Sequence, residues 1–317
     1  MHDPHIEWAI RALNTNGYQT NTTVPETILH TAWSTIYRFN TDKGFFFLKK
    51  VPASLSIEAR VIDVLYNEFN APVPRIIANN DELHCFLMKD AGVPLCDYFK
   101  DNFQADILIN TMREYTQLQI MTAEKVNLFL NIGVPDWRLT NIPRLYEKLI
   151  TEEALLMDGG ITVDELQKLK ELKPKLIAIC EKLILYNIPD TFGHADLHDK
   201  NILIDANTHQ TTLIDLGEVV ITHPFFSLQN CLHRTTEHFS LSDLEYRQLQ
   251  IACFQPWLAL ETEKNLIEIL SLIQQCWSIH AVLGEYRLVK SVDPSAAKVL
   301  CKQDRFARKF RFWINQS

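Results

Sequence analysis

The chain has 317 residues, 47% of them hydrophobic, enough for about two compact domains. Its 39 acidic and 31 basic side chains give a net charge of −8, without the basic footprint that a nucleic-acid partner demands. Seven cysteines, an odd number lacking paired CxxC spacing, point to a reducing compartment, no disulfide framework and mostly core positions.

No apolar run reaches the roughly 18 residues of a membrane span. The opening Met1-His2-Asp3-Pro4-His5 lacks the basic and apolar parts of a signal peptide. These features predict a cytoplasmic protein with no membrane association.

In chain order, residues 27–39 and 44–51 read as β-strands of a meander, separated by the turn-forming stretch 40–44. In the second strand Lys49 shares a face with Phe45 and Phe47, while Lys50 points the other way, because strand side chains alternate. The run 56–69 then places Ile57, Val61, Val64, Leu65 and Phe69 on one helical face, with Ser56 at the N-cap and Glu58 in the first turn. Past Pro72-Val73-Pro74, residues 83–88 read as another strand and 89–92 as its polar exit. Apolar spacing predicts helices over 104–121, 142–157 and 163–186, then a helical series from about 226 to the end, broken near Ser240, Pro256 and Pro294. There is no internal repeat, low-complexity tract or long linker.

The densest chemistry lies in His194-Ala195-Asp196-Leu197-His198-Asp199-Lys200-Asn201, followed by Leu213-Ile214-Asp215-Leu216-Gly217. Residues 201–204 and 211–215 read as a hairpin, with Asp215 closing its strand and Gly217 letting the chain turn away sharply. One carboxylate to position an attacking hydroxyl, an amide oxygen and a second carboxylate for a metal make the set that phosphoryl transfer needs. Carboxylate and amide oxygens are hard donors suited to Mg²⁺. No GxGxxG or GxxxxGK[ST] motif occurs, which disfavours Rossmann-type and Walker-type sites.

This pair of stretches resembles the catalytic and metal loops shared by protein kinases and the aminoglycoside phosphotransferase-like family. His198 stands where protein kinases usually carry lysine, and His223-Pro224-Phe225-Phe226-Ser227-Leu228 also resembles the small-molecule group. The resemblance runs in order from about residue 27 to 230. It implies an α+β fold of protein kinase-like, two-lobed type, with a small antiparallel-sheet N-lobe over 1–88, a hinge at 89–93 and a mainly helical C-lobe over 94–317.

The same resemblance implies site roles. Asp196 is the catalytic base, His194 holds the loop, and Asn201 and Asp215 bind Mg²⁺. Lys49, with Lys50 as the alternative, contacts the phosphates of ATP and pairs with Glu58, whose other reading is an ordinary acid at a helix start. Ser34 and Thr35 take the place of a glycine-rich phosphate loop, or form a plain strand turn beside a buried Trp33. Backbone groups near Met88, Lys89 and Asp90 hydrogen-bond adenine, and Gly92 supplies flexibility or an ordinary turn. His198 touches substrate or phosphate, or packs beside the loop. Glu218 helps the metal or faces solvent. Ser227 departs from the family, which commonly has there an Asp that braces the catalytic loop.

The expected acceptor is a small-molecule hydroxyl of aminoglycoside, sugar or amino-alcohol type, with Asp136, Trp137, Trp277, Glu285 and Tyr286 as candidate pocket walls through charge and cation–π contacts. A protein acceptor is the enzymatic alternative, disfavoured by the lack of an Ala-Pro-Glu segment after Asp215. A catalytically silent nucleotide-binding scaffold is the third reading.

Overall fold

A computed structural model describes residues 3–101, 103–301 and 304–316. The elements run α1 (Pro4–Thr15), β1 (Glu26–His30), β2 (Thr35–Thr41), β3 (Gly44–Lys50), α2 (Glu58–Phe69), β4 (Ile76–Asn80), β5 (Cys85–Lys89), β6 (Val93–Pro94) and α3 (Leu95–Tyr98). They continue with α4 (Ala105–Ala123), α5 (Val126–Asn131), β7 (Asp136–Trp137), α6 (Ile142–Ile150), α7 (Glu153–Asp158), α8 (Val163–Glu171), α9 (Lys173–Ile184) and β8 (Thr191–Gly193). The last are β9 (Ile202–Ile204), β10 (Thr211–Leu213), β11 (Val220–Thr222), α10 (Phe225–Phe239), α11 (Asp243–Phe254), α12 (Glu263–Ser291), α13 (Pro294–Cys301) and α14 (Arg305–Asn315).

Two compact units emerge, Met1–Tyr98 with Lys200–Gly217, and Phe99–Asp199 with Glu218–Ser317. The hairpin of β9 and β10, with Asp215 just beyond it, therefore belongs to the first unit, although the lobe boundaries read from sequence assign it to the second lobe.

In the first unit a five-stranded antiparallel sheet has the order β1-β2-β3-β5-β4. Helix α1 covers one face, burying Ala9 and Leu13 with Phe39, Phe46, Leu48 and Leu87. It begins where Asp3 accepts the N–H of His5 and Pro4 supplies a preset φ. The stretch 27–39 is two strands rather than one. Between them the Thr31 N–H donates to the Ser34 carbonyl at 2.8 Å and the Thr31 hydroxyl accepts from the Ser34 N–H at 3.0 Å, so side-chain bonding closes the turn without glycine.

Helix α2 starts later than expected. Ser56 is not its N-cap: the Ser56 hydroxyl donates to the Ala53 carbonyl at 2.7 Å in a preceding 3₁₀ turn, leaving Ile57 at the cap position. Strands β9 and β10 form the expected hairpin, joined by β6 into a second small sheet. Gly92 sits at φ +116°, and a Cβ there would overlap the Ile204 carbonyl, so close backbone approach rather than flexibility explains the glycine.

The second unit is mainly helical around a three-stranded sheet, β7-β11-β8, with β11 parallel to β7 and antiparallel to β8. Two predicted helices each divide. Residues 142–157 break at Thr151, and 163–186 break at Leu172, just ahead of Pro174, which takes an early position in α9. Helices α8 and α11 each open on a capping box, Thr162 with Glu165 and Ser242 with Glu245.

The expectation that no span-length apolar run exists fails at α12. Its 29 residues hold a window of mean hydropathy 1.4, and 61% of that window is buried. It packs against α6, α9, α10 and α14, and a helix surrounded by partners is apolar on most sides without a membrane. None of the seven cysteines forms a disulfide and six are buried, as their core reading implies.

Candidate active site

In the first unit, β3 and α2 bring Lys49 and Glu58 together in the interior, with side chains 6% and 3% exposed. The Lys49 ammonium lies 2.7 Å from Glu58 Oε2 and 2.6 Å from Asp215 Oδ1. Lys50, one residue on, is only half-buried and faces the other way, since pleating alternates the side chains. Burial alone would lower the Lys49 pKa, but the charges of Asp215 and Glu58 outweigh it and hold the ammonium above its usual value. Burial pushes the Glu58 carboxyl up, while the Lys49 charge opposes that shift.

Asp215 does not close a strand. Strand β10 ends at Leu213, and Asp215 follows in the left-handed region at φ +60°. Glu58 holds this turn as well, accepting the Leu216 N–H at 3.1 Å. Gly217 has a packing reason rather than a turn reason, because a Cβ there would lie 3.3 Å from Glu58 Oε2. Asn201 ends a 3₁₀ turn, and its carbonyl accepts the Ile214 N–H at 3.0 Å, which locks the two arms of the hairpin together.

Lys49, Asn201 and Asp215 line one cavity of about 710 Å³ with Ser34, Met88, Lys89 and Asp90. An amide and a carboxylate oxygen beside an ammonium fit a hard cation that shares phosphate oxygens, so the donor set suits Mg²⁺ with a nucleotide. Thr35 does not line this cavity. It begins β2 opposite Lys50, and its hydroxyl is 3.0 Å from His30 Nδ1. Trp33 beside it is half-buried rather than buried. The N–H groups of Lys89 and Asp90 already donate to the carbonyls of Arg75 and Phe45, at 3.0 and 3.1 Å. Sheet pairing thus removes those two donors from any readout of a base.

In the second unit, the loop after β8 carries His194, Asp196 and His198. His194 is fully buried, and its Nδ1 accepts the Asp196 N–H at 3.2 Å. Its own N–H donates to the Tyr115 hydroxyl at 3.0 Å. His198 Nε2 lies 3.2 Å from Asp196 Oδ2, and Asp199 is fixed by His238 Nδ1 at 2.9 Å. Burial would raise the Asp196 pKa, but the His198 hydrogen bond and the charges of His198, His194 and Arg234 hold it down at about 2. Its carboxylate is half exposed and borders a cavity of about 560 Å³.

Trp277, Glu285 and Glu218 line that second cavity. The other proposed walls are engaged elsewhere. Asp136 pairs with Arg138, Trp137 is buried edge-on against the His280 ring at 5.0 Å, and the Tyr286 hydroxyl donates to Glu152 at 2.8 Å. Sequence reasoning missed Tyr115, Arg234 and His238, which lie outside the motif and carry no spacing signal. Ser227 is buried at the start of α10, and Asn230, one turn on, donates to the Leu197 carbonyl at 3.0 Å.

A family model described as "Phosphotransferase enzyme family" matches residues 27–257. No curated protein sequence matches the chain. Among solved structures, the ethanolamine kinase of Plasmodium vivax aligns over 90% of this chain and 82% of its own, at 12% identity and TM-score 0.63. The GDP and kanamycin complex of APH(2")-IIia aligns over 99% and 98%, at 15% identity and TM-score 0.61. The aminoglycoside phosphotransferase APH(3'')-Id of Streptomyces rimosus, solved with ADP and streptomycin, aligns over 86% and 98%, at 16% identity and TM-score 0.53. At these identities the likeness establishes the fold, which is α+β and kinase-like.

Proposed function

Since the chain belongs to the phosphotransferase enzyme family, we propose that it transfers the γ-phosphoryl group of ATP to a hydroxyl of a small molecule. The observation that carries this reading is the Lys49 ammonium held between Glu58 and Asp215 on the wall of a cavity large enough for a nucleotide. A buried ammonium charged at all ordinary pH values supplies what the phosphates need.

Asn201 and Asp215 would hold Mg²⁺. When bound, that ion supplies neutralising charge to the phosphate oxygens. Asp196 orients the acceptor hydroxyl and takes its proton as the oxygen bonds to the γ-phosphorus. The bond from phosphorus to the bridging oxygen breaks, and ADP leaves with that electron pair. A carboxylate held at about pKa 2 is a weak base, so its larger contribution is orientation, with the proton lost late. His194 positions Asp196 and remains buried beneath it.

The second cavity supports a small acceptor over a protein. Its volume of about 560 Å³ lies within the range that encloses a metabolite-sized ligand, and Trp277 and Phe312 add apolar wall. The test is coupled ADP release with MgATP over a panel of hydroxylated metabolites, sugars, amino alcohols and aminoglycosides. GTP is the second donor, because one similar structure holds GDP. Acceptor-dependent release that disappears in Asp196→Ala supports the reading. Equal turnover by Asp196→Ala would overturn it.

A further inference from the structure

The charge pattern of the second cavity narrows the acceptor class, and this step rests on the reading of that cavity as the acceptor site. Four carboxylates line it, and each has a basic side chain as partner. Asp196 has His198 at 3.2 Å, Glu218 faces the charge of Arg287, and Glu237 has His233 and Arg234 at 3.4 and 3.5 Å. Glu285 is bound on both oxygens by Arg305, at 2.5 and 3.1 Å, and also by Lys309. One carboxylate serving two cations leaves a positive excess on this side.

Helix α14 adds to that excess. Arg308 lines the same cavity, is exposed, and has no side-chain ion pair or hydrogen bond among the described residues. Its charge acts unfavourably on Lys309, a second sign that cations are crowded here. On the facing helix α12, Ser278 is 1% exposed and lines the cavity, and its hydroxyl has no hydrogen-bond partner among the described residues. A buried hydroxyl left unsatisfied costs free energy unless a ligand or water meets it.

We propose that the acceptor carries an anionic group, a carboxylate or a phosphate, received by Arg308 beside the Arg305–Lys309–Glu285 cluster, with Ser278 as a hydroxyl partner. Arginine offers a planar fork of donors matched to either anion. A polycationic sugar would instead meet an unneutralised guanidinium and an overcommitted carboxylate. Glu285, an acid suited by type to an amine, is already occupied.

The test is calorimetric titration of the ADP-loaded protein with gluconate, glycerol 3-phosphate, sorbitol and kanamycin. Sorbitol has the polyhydroxyl chain of gluconate without its charge. At least one of the two anions is expected to bind about tenfold or more tightly than sorbitol, and which one binds separates carboxylate from phosphate. Arg308→Glu is expected to erase that preference while ADP affinity, measured on the same sample, stays unchanged. The residue is exposed, so the variant folds. Kanamycin binding tighter than both anions, neither anion exceeding sorbitol, or a preference that survives Arg308→Glu would each overturn the proposal. Anion binding without phosphoryl transfer to any hydroxyl would overturn the kinase reading and leave the anion wall standing. Efficient phosphorylation of kanamycin would do the reverse.

Discussion

Asn230 donates its side-chain amide to the carbonyl oxygen of Leu197 at 3.0 Å, and so ties α10 to the loop that carries Asp196. From the other side Tyr115, on α4, accepts the His194 N–H. The brace that the family resemblance expects at residue 227 thus comes from a neutral amide one helical turn later. Asn230→Ala strands the Leu197 carbonyl, and the loss is about 1–3 kcal/mol of stability. Turnover is expected to fall while nucleotide affinity holds, read as kcat against the Kd for ADP. An unchanged kcat would separate the loop from this brace.

On the proposed mechanism, Asp196→Asn keeps shape and removes the charge that would orient the acceptor hydroxyl. Turnover is expected to fall roughly 10²–10⁴-fold, with MgATP affinity nearly unaltered. The pH profile gives a second handle. With its pKa depressed to about 2, Asp196 is ionised throughout the working range, and activity shows no acid limb from this group. His198→Ala removes the hydrogen bond that lowers the pKa, so the carboxyl rises toward the ordinary value of about 4 and an acid limb enters the profile there. A profile identical to wild type would show that His198 does not tune Asp196.

Glu58→Gln tests the buried ion pair. Glu58 shares the Lys49 ammonium with Asp215, so weakening one side moves the cation toward the other. Asp215 then becomes less available to a metal. MgADP affinity is expected to drop at least about tenfold, whereas metal-free ADP loses less. Lys49→Met should weaken both. Thermal stability falls most in Lys49→Met, which leaves the buried Glu58 carboxylate without its cation, worth about 3–5 kcal/mol, and less in Glu58→Gln, where Asp215 still pairs with Lys49. Equal effects on MgADP and metal-free ADP would dissociate Glu58 from the metal side of the site.

Gly284 lines the second cavity in the middle of α12, and a Cβ added there meets nothing within 4 Å. Glycine inside a helix costs about 0.5–1 kcal/mol relative to alanine, so Gly284→Ala is expected to raise Tm. The position gains nothing from glycine except open space. Gly284→Phe should fill that space and raise the acceptor KM sharply with nucleotide affinity intact. A phenylalanine that leaves acceptor KM unchanged would place the bound acceptor elsewhere in the unit.

Much of the fold and the central chemistry was legible without coordinates, for local reasons. The antiparallel strands and amphipathic helices declare themselves through periods of two and 3.6 residues. Asp196, Asn201 and Asp215 fall in two short contiguous stretches whose spacing is itself the signal, and the class they implied, a phosphotransferase, is the class of the family. Strand alternation set Lys49 and Lys50 on opposite faces, with Lys49 beside Phe45 and Phe47. Errors occurred where one local rule outweighed another. Ser56 has the chemistry of an N-cap but spends its hydroxyl on Ala53, and Leu172 interrupts a continuous apolar period at a proline-led restart.

By itself, then, the sequence determined the element types, the motif and the enzyme class it implies, because these depend on neighbours a few residues away. Only the tertiary structure decided which cations are left over. Glu285 gains two of them from α14, Arg308 keeps none of the acids, Asn230 finds Leu197, and the Lys89 and Asp90 N–H groups turn out to be taken. Such pairings join residues distant along the chain, where no periodic pattern records them, and a charge or hydrogen bond acts on whatever lies within a few ångströms of it in space.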